Sequence, residues 1–212
     1  MQTENQTCHV YRSWEAAHWF HRRVAAALAR GLGVLLAAVI LAAPAVSSAN
    51  GGQPWIQVDV EALTLTVLSA ENRVLARFNN ISIGSGGAAE IHRQGDETTP
   101  LGVFHIAWID RASRYGTFYG FDYPSERVAR SAYAKGILSR VELDAILEAA
   151  RSHRLPPQNT SLGGYLGIHG IGRSDAEIHE GFNWTNGCVA LTNQQIRQLS
   201  HWVRIGTQVV IH

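Results

Sequence analysis

Cysteine and methionine are scarce in this chain, which has two cysteines and one methionine among 212 residues. Neither C-x-x-C nor H-x-x-x-H spacing occurs, so we predict no metal and no cofactor. Charge is also sparse, because charged residues make up 17% of the chain and the formal net charge is +1. Such a balance excludes a strongly basic, nucleic-acid-binding surface and indicates a globular protein.

The N-terminal segment differs in character from the rest of the chain. The run at 32–46 has 15 residues without a charge and is followed by Ser-Ser-Ala. Four arginines precede it: Arg12, Arg22, Arg23 and Arg30. A basic region, an apolar core and a small-residue ending predict a secretory signal peptide over residues 1–49. The alternative is an uncleaved membrane anchor, although the run is shorter than the roughly 18–20 residues that span a bilayer.

Both alternatives place the remaining chain outside the cytoplasm, in the periplasm or cell-wall space. From residue 50 onward, 14 Arg and Lys stand against 15 Asp and Glu, a net charge of −1. We therefore predict no nucleic-acid partner, and membrane contact only if the N-terminal segment stays attached. Cys188 is then the single cysteine, which excludes an internal disulfide. On composition alone, an inert buried cysteine remains as good an explanation as a reactive one.

Hydrophobic periodicity predicts one α+β domain over residues 55–212, after a short linker at 50–54. Period-2 alternation predicts β structure at 55–68, 73–84, 101–110, 165–170 and 207–212. Helical patterns cover 125–136, 139–155 and a segment from Asn193 to Gly206. Strands at both ends with helices inserted between them predict a mainly antiparallel sheet or sandwich core.

The middle helices have clear boundaries. Ser139 and Glu142 have the S-x-x-E spacing of a capping box, and Pro156 follows the second helix. This helical stretch, 125–155, is longer than a connection needs, so we hypothesise that it is a lid beside a cleft. The polar loop containing His92, Arg93 and Asp96 has two interpretations: it borders the cleft, or it is a solvated loop without function, as loops of this composition commonly are.

A Thr-Asn-Gly-Cys turn is the first sign of chemistry. Gly187 allows the backbone to approach a substrate closely, and Cys188 follows it directly. A cysteine nucleophile also needs a base, and His169 ends a strand-like run 19 residues earlier. Neither feature alone separates a catalytic site from a structural turn, so the pair must be judged together.

That pair resembles the signature of the YkuD-type L,D-transpeptidase catalytic domain. The family pattern I-H-G followed by [S/T]-x-G-C-[I/V]-x-[L/M]-x-N matches 168–170 and 185–193 here. Thr-Thr-Pro-Leu-Gly at 98–102 is similar to a further family motif, and the resemblance covers roughly residues 55–212. The family fold agrees with the antiparallel α+β prediction.

The resemblance implies roles for individual residues. Cys188 would be the nucleophile, His169 its base and Gly170 the carbonyl that orients the imidazole. The N–H groups of Gly187 and Cys188 would form the oxyanion hole. The implied substrate is a peptidoglycan stem tetrapeptide, whose acyl group passes through the cysteine to an amine or to a wall-linked protein. Carbapenem-type β-lactams would acylate the same thiol.

Two departures from the family leave the acceptor open. Many members have histidine where this chain has Asn186, and arginine where it has Ala190. Thr185, Asn186 and His179 are expected to contact substrate. The residues around the cysteine resemble those of a family subgroup that includes proteins that cut peptidoglycan links. A carboxypeptidase or amidase that hydrolyses the same acyl-enzyme is therefore the first alternative, and a non-catalytic wall-binding module is the second.

Overall fold

The computed structural model describes residues 52–174 and 176–212. The signal peptide expected at residues 1–49 lies outside the described residues, so it stays a prediction. None of the described helices is both long and apolar enough to cross a membrane.

Three antiparallel strands open the domain where alternation predicts them. They are β1 (Trp55–Asp59), β2 (Thr64–Leu68) and β3 (Val74–Asn79). The β1–β2 turn is closed by the Asp59 carboxylate, which accepts the backbone N–H groups of Glu61 and Ala62. Ile56 and Val58 alternate into the core and are fully buried, as period-2 spacing requires.

Seven further strands follow, and five of them complete a sheet of eight strands within the described residues. They are β4 (Ala88–Ala89), β5 (Thr99–Pro100), β6 (Gly102–Ser113), β7 (Gly116–Phe121), β8 (Gly167–Gly170), β9 (Val189–Leu191) and β10 (Gln208–Ile211). Strands β4 and β5 pair separately, and the large sheet has the order β3-β2-β1-β10-β6-β7-β8-β9. Only β1–β10 and β8–β9 are parallel neighbours in it. The predicted α+β class with a mainly antiparallel sheet is confirmed.

Four helices lie in the described part of the chain. They are α1 (Glu126–Ala134), α2 (Arg140–Arg151), α3 (Ala176–Gly181) and α4 (Asn193–Leu199). The predicted capping box of α2 is confirmed. The Ser139 hydroxyl accepts the N–H of Glu142, and the Glu142 carboxylate accepts the N–H of Ser139 at 2.8 Å. Helix α3 lies in a segment where the sequence predicts a loop.

The sequence patterns assign no strand or helix to residues 115–123 and place the end of the last helix too late. The aromatic segment at 115–123 contains β7, which becomes a strand by pairing with both β6 and β8. Gly120 is needed there, because a Cβ would lie 2.0 Å from the Trp108 ring. The last helix ends at Leu199 instead of Gly206. Val203 lies beyond the end of this helix and is buried. Its spacing in the sequence is therefore the same as that of a further residue on the buried helix face.

The hydrophobic core continues directly beneath β8 and β9. Helix α4 contacts β7, β8 and β9, and its Ile196 and Leu199 are buried. Ile168 of β8 and Val189 of β9 are both fully buried. Burying side chains of this size contributes about 1.5–3 kcal/mol each, so packing holds this strand pair firmly in place.

Candidate active site

The parallel pairing of β8 and β9 brings the two halves of the cysteine–histidine motif together. Ile168 pairs with Val189, and His169 pairs with Ala190. Cys188 directly precedes β9, so the thiol lies beside the strand that carries His169. Both residues line one cavity of about 1000 Å³. Residues separated by 19 positions in sequence therefore share one cleft.

The His169 imidazole is fixed in a single tautomer. Its Nδ1 lies 2.7 Å from the carbonyl oxygen of Gly170. A carbonyl only accepts hydrogen bonds, so Nδ1 carries the proton and Nε2 keeps a free electron pair. Tyr115 and Phe118 stack on the ring with centroids 4.4 and 5.8 Å away, and Trp184 meets it edge-on at 6.0 Å.

This aromatic surrounding controls the charge of the ring. Burial lowers the pKa of His169 to about 4, although the hydrogen bond to Gly170 opposes the shift. The neighbouring His179 and Arg114 lower the pKa further. At neutral pH the imidazole is therefore uncharged, which is the form that accepts a proton.

The Cys188 thiol is also uncharged at neutral pH. Part of the residue's surface faces the cavity, but the sulfur is packed closely enough that burial raises its pKa to about 11. A hydrogen bond from the backbone of Gly167 opposes that shift, and Sγ lies 3.7 Å from the carbonyl oxygen of Tyr165. The resting pair is thus a thiol and a neutral imidazole.

Thr185 closes the turn that presents the thiol. Its hydroxyl donates to the carbonyl oxygen of Cys188 at 2.6 Å and accepts the N–H of Gly187 at 3.1 Å. Thr185 is buried, so its hydroxyl serves the turn although the residue borders the cavity. The N–H of Gly187 is engaged in the same turn. The oxyanion role of Gly187 stays a prediction that requires this N–H to leave Thr185.

Glycine is required at position 187 for two reasons. Its φ of +120° lies in a region that L side chains rarely adopt. A Cβ there would also lie 2.6 Å from the carbonyl oxygen of Thr98 and 3.2 Å from the ring of His92. The Gly-Cys turn and the loop before β5 are therefore in direct contact.

The family model for the L,D-transpeptidase catalytic domain, YkuD, matches residues 53–211. This chain belongs to the YkuD family of L,D-transpeptidase catalytic domains. No curated protein sequence is significantly similar to it. The identification therefore depends on the family match, and the geometry above shows where the family motif lies.

Solved structures with related folds agree with the assignment of the fold. The helical cell shape determining protein Pgp2 from Campylobacter jejuni has 17% sequence identity and a TM-score of 0.52. The match covers 77% of this chain and 48% of Pgp2, so this chain spans about half the length of that relative.

Two further structures are L,D-transpeptidases. The one from Xylanimonas cellulosilytica has 17% identity and a TM-score of 0.41, over 77% of this chain and 62% of that chain. LdtMt1 in complex with imipenem has 15% identity and a TM-score of 0.42, over 75% of this chain and 58% of that chain.

In this L,D-transpeptidase domain, His179 does not lie where a substrate contact was expected. It is buried on α3 and does not line the cavity. Its Nδ1 accepts the indole N–H of Trp184 at 3.3 Å. Burial lowers the pKa of His179 despite the nearby Glu180 carboxylate and the Asn80 backbone; its Nε2 has no partner of normal hydrogen-bond geometry within the described residues. The structure thus places His179 behind Trp184, where it supports the aromatic residues around His169.

The two positions that depart from the family pattern have different environments. Asn186 is exposed and lines the cavity, so its amide is available to a substrate. Ala190 is fully buried, pairs with His169 and bridges to Ser82. The cavity wall has a positive charge at a position other than 190. Arg114 is the one arginine or lysine among the described lining residues. Its guanidinium lies 4.7 Å from the centroid of the Tyr115 ring.

Residues of the loop after α2 line the cavity, whereas no residue of α1 or α2 does. No residue of 125–155 lines the cavity, so the lid hypothesis was wrong for that stretch. The lining comes from residues 158–166, including Tyr165, whose φ of +55° turns its carbonyl towards the thiol side. Glu142 of α2 anchors this loop by accepting both the N–H and the hydroxyl of Ser161 at 2.7 and 2.8 Å.

The aromatic wall is the part of the site that sequence reasoning missed. Tyr115, Phe118 and Trp184 surround His169, although they lie on β6–β7 and on the loop before Cys188. The only signal was the aromatic cluster at 115–123, which indicates packing without specifying its partner. Asn193 is a further link, because its amide donates to the carbonyl of Gly172 and accepts the N–H of the same residue.

Proposed function

We propose that this chain is an exported, cysteine-dependent L,D-transpeptidase acting on peptidoglycan stem peptides. The observation that carries the proposal is the shared cavity of Cys188 and His169. In it, Gly170 holds Nδ1 of the histidine and leaves Nε2 to accept a proton. Membership of the YkuD family supports the reaction class.

The proposed first half-reaction forms an acyl-enzyme. The thiol proton moves to His169 Nε2 as Cys188 Sγ attacks the carbonyl carbon of the third residue of a tetrapeptide. The C–N bond then breaks, and the imidazolium returns its proton to the amine of the leaving D-amino acid. Because the imidazole is neutral at rest, it is ready to take the proton without prior loss of its own. An amine acceptor completes the cycle by displacing the sulfur.

Arg114 is positioned to hold a substrate carboxylate in this scheme. Stem tetrapeptides end in a carboxylate, and a guanidinium binds such a group with two parallel hydrogen bonds. Arg114 lies on the β6–β7 connection beside Tyr115, which stacks on His169. The charge would therefore bind the departing end of the donor on the histidine side of the cavity. It takes the place of the arginine that the family pattern has at position 190.

Hydrolysis of the same acyl-enzyme is the second candidate function. Asn186 lines the cavity and binds water or an amine equally well through its amide. A carboxypeptidase or amidase therefore needs no change in the first half-reaction. The near-neutral charge of residues 50–212 and the N-terminal apolar run support export to the wall in either case.

Product analysis with purified muropeptides tests both candidates. Tetrapeptide muropeptides are incubated with the protein, with and without an added amine, and the products are weighed by mass spectrometry. A transpeptidase yields an amine-joined product, whereas a hydrolase yields only shortened peptide. Cys188→Ala should abolish both products and the carbapenem adduct seen by intact mass. Product formation by Cys188→Ala would overturn the cysteine-dependent mechanism, whereas inactivity of the folded parent protein would favour a non-catalytic wall-binding module.

A further inference from the structure

A second histidine faces the cavity from the loop before β5. His92 is buried to 3% exposure and lines the same cavity as Cys188 and His169. Its ring fits between two glycines, because a Cβ on Gly163 would lie 3.3 Å from Nε2 and one on Gly187 would lie 3.2 Å from Nδ1. Gly187 directly precedes Cys188. His92 therefore packs against the turn that presents the thiol, in the cavity that His169 also lines.

The tautomer of His92 follows from its two partners. Nδ1 lies 2.7 Å from the carbonyl oxygen of Thr98 and 2.9 Å from Oδ1 of Asp96. Both oxygens accept hydrogen bonds, so Nδ1 carries the proton and Nε2 keeps an electron pair. Within the described residues Nε2 has no hydrogen-bond partner.

Asp96 is held as a carboxylate behind this ring. Burial would raise the pKa of Asp96, but hydrogen bonds from the backbone of Thr98 and Arg93 outweigh it and lower the pKa. Tyr123 fixes the other side of the histidine by donating to the His92 carbonyl at 2.7 Å. His92 thus has a charged orienting partner, whereas His169 has only the neutral carbonyl of Gly170. A carboxylate stabilises an imidazolium far better than a carbonyl does.

We propose that His92, oriented by Asp96, is the base that takes the proton of the incoming acceptor in the second half-reaction. This inference rests on the proposed function. The acceptor N–H or O–H gives its proton to His92 Nε2 while the acceptor atom bonds to the acyl carbon. The C–S bond breaks, its electron pair returns to Cys188 Sγ, and the proton passes from His92 through water to the sulfur. Asn186 cannot perform this step, since an amide is no base.

The test separates formation of the acyl-enzyme from its discharge. Protein is mixed with a tetrapeptide muropeptide and quenched, and intact mass follows the acyl adduct with and without added amine. His92→Gln should acylate within about twofold of the parent rate and discharge about 10²-fold more slowly, a usual size for general-base catalysis. The adduct should therefore accumulate.

A surface pair of the same chemistry provides the matched control. His105 Nδ1 lies 3.1 Å from Oδ2 of Asp122, and neither residue lines the cavity. His105→Gln should therefore leave both steps unchanged. In His92→Ala, added imidazole should restore discharge in proportion to its concentration, which a purely structural role does not predict.

The outcomes separate this inference from the proposed function. Discharge of His92→Gln at the parent rate, or equal loss of both steps without imidazole rescue, overturns the role of His92 and leaves the transpeptidase proposal standing. Failure of the folded parent protein to form any acyl adduct overturns the proposed function, and the role of His92 with it.

Discussion

The two walls of the cavity are built in different ways. The strand wall, formed by β7, β8 and the start of β9, holds His169 and Cys188 through a backbone ladder with a buried core beneath it. The loop wall, residues 92–98 and 158–166, is held by carboxylates that accept backbone N–H groups. Asp96 does so within the first loop, and Glu142 of α2 does so for the second. The structure of the strand wall thus depends on backbone pairing and packing, whereas that of the loop wall depends on two negative charges.

Because they are built differently, we expect the two walls to have different functions. A nucleophile and its base must stay in register through the reaction, and a sheet register is a rigid way to achieve this. The loop wall borders the space that an acceptor would enter in the proposed reaction, and loops commonly provide specificity. Each wall can be weakened separately, so the comparison makes measurable predictions.

The largest effect is expected at the strand wall. His169→Gln removes the proton acceptor while leaving a side chain of similar size, so acyl-enzyme formation should slow by about 10²–10⁴-fold. Rapid-quench mass spectrometry of the adduct measures this rate, and the thermal midpoint serves as the folding check. His105→Gln again provides the control. Acylation of His169→Gln at the rate of that control would show that the base lies elsewhere.

A smaller effect is expected for the thiol that lies between the walls. Burial raises the pKa of Cys188 to about 11, so little thiolate exists at pH 7. The greater nucleophilicity of a high-pKa thiolate offsets part of this loss, and iodoacetamide should alkylate Cys188 about tenfold more slowly than a free cysteine. The rate should rise with pH up to about 11. Fast alkylation at pH 7 would instead indicate a resting thiolate–imidazolium pair.

The smallest effect is expected at the loop wall. Glu142→Gln loses part of the capping box and the contact with Ser161, which should lower the free energy of unfolding by about 1 kcal/mol. Thermal melts at pH 7 measure it. Glu148→Gln is the matched control, because Glu148 lies on the same helix and its carboxylate accepts hydrogen bonds from Arg151 and Ser152 on that helix and not from the loop.

The effect of Glu142→Gln on thermal stability should depend on pH. Hydrogen bonds from Ser139 and Ser161 lower the pKa of Glu142 from 4.5 to about 2. A lowered folded-state pKa means that the carboxylate stabilises the fold above pH 4.5, and this contribution is lost as the pH falls towards 2. The difference in melting temperature between parent and Glu142→Gln should therefore shrink over that range. A constant difference would show that the charge of Glu142 is irrelevant to the loop wall.

Local patterns predicted those elements whose own residues carry the signal. Ile56 and Val58 alternate as a half-buried strand must, and Ser139 with Glu142 marks the start of α2. The segment of β7 has no such signal, because Gly120 and its aromatic neighbours become a strand only between β6 and β8. The position of His179 was not predictable for a related reason, and its contact with substrate stays a prediction. Its position behind Trp184 depends on α3, which the sequence does not indicate.

The sequence by itself determined the family, the order of the main elements, and the candidate pair of Cys188 and His169. It could do so because a motif and a period are properties of neighbouring residues. Only the tertiary structure decided the charge of that pair, since burial by Tyr115 and Phe118 keeps the imidazole neutral. It also placed His92 in the same cavity, where the sequence had left a choice between the border of the cleft and a solvated loop. Proton affinity and access depend on atoms that are distant in the chain, and no local pattern records them.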